Sequence, residues 1–84
     1  MSHLIDIKIE SFGAVGRFLP ASLSVSKPQA CRVEEVLDEI GCRYPGASKA
    51  IALCACAVGE NIVHRNCLIE KNVTLVLLSP VAGG

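Results

Sequence analysis

Val73-Thr74-Leu75-Val76-Leu77-Leu78 is the stretch on which the fold turns. Its β-branched and aliphatic residues fill both sets of alternating positions, so the strand they form is apolar on two faces and belongs inside a sheet or under a cover. Ser79-Pro80 closes it, because proline cannot donate to a strand ladder. A central last strand needs neighbours, and the other end of the chain offers one. Ile5-Asp6-Ile7-Lys8-Ile9-Glu10 alternates apolar and polar with period two, which puts Ile5, Ile7 and Ile9 on a core face. The first and last strands could lie side by side in the middle of one sheet, a pairing that periodicity alone does not prove.

Working inward from these ends, Phe12 continues the first strand, Gly13 and Gly16 loosen the chain, and Leu19-Pro20 punctuates it. Ser22-Leu23-Ser24-Val25-Ser26 alternates again and is expected to form a hairpin with the first strand through a longer loop. From Arg32 to about Tyr44 the period changes: Val33, Val36, Leu37 and Ile40 make one helical stripe, opposite Glu34, Glu35, Asp38 and Glu39. Glu34 and Glu35 suit the positive end of the helix dipole. Cys31 is expected near the N-cap, where it caps poorly, and Pro45-Gly46 stops the helix. A compact apolar run, Leu53 to Val58, is expected as a buried strand, with a turn at Gly59-Glu60 and a short return strand over Asn61-Ile62-Val63-His64. The order strand, strand, helix, strand, short strand, strand gives an α+β layer with one main helix packed on one face of the sheet.

With 84 residues this is one small domain. Net charge is zero, eight Lys plus Arg against eight Asp plus Glu, with no basic stripe; no nucleic acid and no membrane are expected as partners. Hydrophobic residues make up 51% of so short a chain, more than a small core absorbs, so part of that apolar surface is expected to face a partner. The first residues, Met1 to Asp6, lack the basic start and apolar centre of a signal peptide, and the cytoplasm is the expected compartment. Cys31, Cys42, Cys54, Cys56 and Cys67 are odd in number and are expected as reduced thiols. Cys54 and Cys56 share one strand face near His64 and Cys67, but the pattern lacks the Cys-x-x-Cys spacing of a zinc site, and no metal is expected. Packing as small hydrophobes is their simplest role. Cys31, close to a helix N-terminus, is the best candidate among them for a lowered pKa, with plain packing the favoured reading. No Ser/His/Asp set, carboxylate pair or phosphate loop is present, so the chain is not expected to be an enzyme.

Ile7-Lys8-Ile9 to Phe12, Val33-Glu34-Glu35-Val36-Leu37, Tyr44-Pro45, Ala57-Val58 and above all Leu77-Leu78-Ser79-Pro80-Val81-Ala82-Gly83-Gly84 resemble the ubiquitin-like sulfur-carrier family over nearly the whole chain. The terminus looks most like the molybdopterin synthase small subunit, with Ser79 in place of the first of two usual prolines. Three other positions depart from that branch: Ala14 to Phe18 holds no Arg-Glu pair, Gly59 replaces an Asn, and Glu70-Lys71-Asn72 replaces a Gly-Asp turn.

The resemblance implies a β-grasp (ubiquitin-like) fold, a mixed sheet with the helix on one face, over 1–78, and a flexible Gly-Gly tail over 79–84. It implies that Gly84 is adenylated by a separate ATP-dependent activating enzyme and then carries sulfur as a thiocarboxylate, the chain itself binding no cofactor. A carboxylate is a poor acyl donor, so such chemistry needs an acyl-phosphate first. The tail must then thread a narrow active site: Pro80 stiffens its exit, Val81 anchors it, and Ala82 and Gly83 keep it slim. The implied second partner is the molybdopterin synthase large subunit, and Phe12, Ile62 and Leu78 fall at the family's apolar docking positions. Arg17, Arg65 and Lys71 are candidates to meet acids on a partner. Sulfur delivery for thiamine, cysteine or tRNA thiolation, protein modification through Gly84, a plain interaction domain, and an end that merely frays are the alternatives to this reading.

Overall fold

Ile5, Ile7 and Ile9 are buried while Asp6, Lys8 and Glu10 between them are exposed. That alternation is strand β1, Leu4–Phe12, with one face on the core and one open. The computed structural model describes residues 4–79. After β1 a 3-10 turn, Gly13–Arg17, tucks Val15 into the core, and the chain returns as β2, Leu23–Pro28, antiparallel to β1 with Ile7 opposite Val25 and Ile9 opposite Leu23.

The sequence stripe of Val33, Val36, Leu37 and Ile40 becomes the buried face of helix α1, Val33–Arg43. Its first N–H groups need acceptors, and the cap is built differently from the expectation at Cys31. Arg32 is the N-cap residue and donates its N–H to the Glu35 carboxylate at 3.1 Å. The N–H groups of Val33 and Glu34 donate to the carbonyls of Cys67, at 3.0 Å, and Arg65, at 2.7 Å. Carbonyls of a distant loop thus replace the side-chain cap that the local sequence lacks. At the other end Arg43 pairs with Glu39 one turn back at 2.7 Å, and Lys27 of β2 reaches the same carboxylate at 3.2 Å.

Pro45–Ala47 forms a 3-10 turn and leads into a second helix, α2, Ser48–Leu53. This corrects the expected strand start at Leu53, which ends α2 and is exposed. The reason is packing: Ala47 and Ile51, four apart, both bury beside α1, while six residues are too few to announce a helical period. Strand β4, Ala55–Val58, follows, and Gly59 turns the chain at φ +63 into the three-residue β5, Asn61–Val63. The two-residue strands β3, Cys31–Arg32, and β6, Leu68–Ile69, pair antiparallel and close a side of the domain.

The final strand β7, Val73–Leu78, lies in the centre as its two-faced apolar pattern requires: the sheet order is β2-β1-β7-β4-β5. β7 runs parallel to β1, with Ile9 opposite Leu75 and Phe12 opposite Leu78, and antiparallel to β4, with Leu77 opposite Cys56. Leu75 and Leu77 meet Ile7, Ile9, Val36 and Ile40 in one buried cluster under α1. A five-stranded mixed sheet grasping one main helix is the β-grasp architecture. Among the described residues no helix is long and apolar enough to cross a membrane.

Candidate functional site

Residues opposite each other in a ladder share a face, so the registers sort every strand residue. Phe12 opposes Leu78, which opposes Ala55 on its other side. One row along, Val76 opposes Ala57, which opposes Ile62. All six lie on the sheet face turned away from α1. Phe12, Ile62 and Leu78, the docking candidates, are therefore on one surface and exposed, at 54%, 67% and 37%. From β1 to β5 this strip crosses three strand spacings, roughly 14 Å at about 4.8 Å each. The apolar rows sit at the end of β7 from which the chain continues toward residue 80. On β1 the same face turns polar at Glu10, opposite Val76, and further back with Lys8 opposite Thr74 and Asp6 beyond. This is an apolar patch with a polar border, placed at the root of the tail.

That root is anchored. The Ser79 N–H donates to Phe12 O at 3.1 Å, one last ladder bond beyond β7. Of the expected tail, only Ser79 is described; Pro80, Val81, Ala82, Gly83 and Gly84 lie outside the described residues.

The basic candidates divide. Arg17 and Lys71 are exposed and open to a partner. Arg65 is engaged within the chain: its Nη2 donates to the carbonyls of Ile51 at 2.9 Å, Ala52 at 3.2 Å and Cys54 at 2.9 Å, the end of α2. A guanidinium there meets carbonyls at the C-terminal end of a short helix and opposes the negative end of its dipole. The sequence offered no signal for this, since the acceptors stand 11 to 14 residues away.

The cysteines also differ from expectation. Cys31, the best candidate for a lowered pKa, is shifted up, first by burial and then by the Glu35 carboxylate. The lowered thiol is instead Cys54, brought to about 7 by a hydrogen bond from Cys56, with the Arg65 guanidinium adding to it against the cost of burial. Cys56, as the donor of that bond and buried, is pushed up. When protonated, Cys54 Sγ donates to Ile51 O at 3.1 Å. Both side chains are buried and serve the core beside Leu77 and Ile51. Among the described residues no three His, Cys, Asp or Glu side chains gather in a way that could hold a metal ion.

Comparison with solved structures finds the same fold in the crystal structure of SAMP1 from Haloferax volcanii, with a TM-score of 0.80 over 94% of this chain and 99% of that one. At 15% identity the likeness speaks for the β-grasp fold alone. No curated protein matches the chain by sequence. The ThiS family model, by contrast, matches residues 12–84, from the end of β1 through the helix and the central strand to the last glycine. That span covers all but residues 1–11, and it places this chain in the ThiS family of ubiquitin-like sulfur carriers.

Proposed function

We propose that the chain is the small, sulfur-carrying subunit of a molybdopterin synthase, delivering sulfur as a Gly84 thiocarboxylate. The observation that carries this reading is the convergence of Phe12, Leu78 and Ile62 on one exposed face at the point where β7 feeds the tail. A partner seated on that face receives the tail in its own active site. The Pro80-Val81-Ala82-Gly83-Gly84 ending supports the molybdopterin branch within the family.

In this account the chain is a co-substrate. An activating enzyme joins the Gly84 carboxylate to the α-phosphate of ATP and releases pyrophosphate. A sulfur donor then attacks the acyl carbon and expels AMP, which leaves the thiocarboxylate. The large subunit next takes the sulfur to build the dithiolene and returns the carboxylate. The catalytic residues belong to the partners, and ATP is bound by the activating enzyme. What this chain supplies is a rigid platform, an apolar docking face, and a tail slim enough to thread a channel.

Leu78→Glu tests the docking face. Leu78 is exposed, and Leu75 and Leu77 already fill the core side of β7, so the variant folds with a near-native urea midpoint. Its affinity for the large subunit falls by roughly 10- to 100-fold, the effect of burying an unpaired charge at about 1.5–3 kcal/mol. Unfolding of the variant would place Leu78 in the core and defeat the docking role. The pathway itself is tested by mixing the thiocarboxylate form with the large subunit and the molybdopterin precursor. Dithiolene formation is expected; its absence with every large subunit tried would remove the molybdopterin assignment and leave the other sulfur-carrier pathways.

A further inference from the structure

Residue 79 is where the sheet lets the chain go, and the contacts there are unusually specific for a surface serine. Besides its backbone bond to Phe12 O, Ser79 uses its hydroxyl twice: Oγ accepts the Val15 N–H at 2.8 Å and donates to Phe12 O at 3.2 Å. Val15 itself is fully buried, so the 3-10 turn that presents this N–H is fixed to the core. Gly13 packs directly against Ser79: at φ +85, a Cβ on Gly13 would overlap Ser79 O and lie 2.9 Å from Ser79 Oγ. Three hydrogen bonds and one close backbone approach therefore hold a single residue, the one just before the tail. A proline here would have neither the N–H nor the hydroxyl.

We propose that Ser79 is a positioning residue for the carrier tail: its backbone and hydroxyl lock the chain to the turn after β1 and set the direction in which it leaves the sheet. The proposal rests on the carrier reading above. A tail of five residues launched from a fixed point in a fixed direction samples far fewer arrangements than one launched from a swivelling root. More of those arrangements then point into an active site once the outer face is docked. Docking itself uses Phe12, Leu78 and Ile62 side chains, so loss of the hydroxyl acts on tail entry after docking and leaves the docking affinity unchanged.

Two measurements test it. In the free wild-type protein the Val15 amide is protected from hydrogen exchange, and Ser79→Ala abolishes that protection; a Val15 amide that exchanges freely in the wild type would overturn the clamp without touching the carrier reading. Steady-state ATP–pyrophosphate exchange with a family activating enzyme then reads the function. For Ser79→Ala the expected result is a kcat lower by roughly tenfold, the cost of loosening a reacting group by a fraction of an ångström. The dissociation constant for docking stays at the wild-type value, and Ser79→Thr, which keeps the hydroxyl, restores most of kcat. An alanine variant with wild-type kcat, or one that loses docking affinity in the same proportion, would overturn the positioning role. No exchange with the wild type would bring down the carrier reading and this inference together.

Discussion

Deletion of Gly84 abolishes ATP–pyrophosphate exchange, by more than about 100-fold, and leaves the unfolding curve where it was. The first half follows from reach. Removing one residue draws the terminal carboxylate back by about 3.5 Å along an extended chain. Acyl transfer tolerates far less, since misplacement by about 1 Å costs on the order of 100-fold. The second half follows from the fold, whose buried cluster runs from Ile5 to Leu77 and whose last described tie is at Ser79. Adding one residue after Gly84 has the same expected effect, because the carboxylate is then displaced in the other direction. The result separates the readings by class. A carrier or a modifier loses activation in both variants, and only the modifier gives high-mass conjugates in its cells. An interaction domain binds its partner unchanged with either terminus.

The largest effect on stability is expected at Leu75. This side chain has no solvent exposure and sits in the central strand, between Ile9 on β1 and Val58 on β4. Leu75→Ala removes buried methyl groups and leaves a cavity that strands on both sides cannot collapse to fill, at a cost of about 2–5 kcal/mol. A domain of this size holds on the order of 5–10 kcal/mol in all. With a slope of about 1 kcal/mol/M, the urea midpoint falls by about 2–5 M. Val76→Ala, one residue on but facing outward, should cost less than about 1 kcal/mol. Equal losses at the two positions would contradict the placement of β7 with one face in the core and one open.

Where hydrophobic periodicity governs, the chain could be read directly. Ile5, Ile7 and Ile9, the stripe of α1, and the apolar run at Val73–Leu78 each declared their element, because a buried face leaves its period in the local sequence, although the outer face of β7, apolar too, stays open. The two-faced apolar pattern of the last strand marked it as central or covered, but its pairing with β1 is a matter of register that periodicity does not fix. Elements too short to carry a period stayed hidden. Neither α2 nor the pair of β3 with β6 has enough residues to show one, and each forms because tertiary contacts at Ile51, Cys31 and Ile69 hold it. Electrostatics was the least legible. The raised pKa of Cys31 depends on burial and on the Glu35 carboxylate, and the lowered pKa of Cys54 depends on the Cys56 thiol two residues on and on Arg65 brought in from 11 residues away.

The candidate site divides along the same line. That Phe12, Ile62 and Leu78 share a face is a matter of register across four strands, which sequence spacing does not encode; the family likeness pointed to these positions and the ladder brings them together. The role of Ser79 was masked by its position. As a departure from a proline pair it looked like a lost feature, yet its hydroxyl gains two bonds that proline could not make.

The central claim is that Gly84 carries sulfur, and intact mass spectrometry tests it most directly. The purified chain is incubated with ATP, an activating enzyme of the family and a sulfide donor, beside the chain lacking Gly84. The account predicts a mass gain equal to sulfur replacing one oxygen in the full chain, and no gain in the shortened one. No gain in the full chain, with activating enzymes shown to be active on their own carriers, would contradict it.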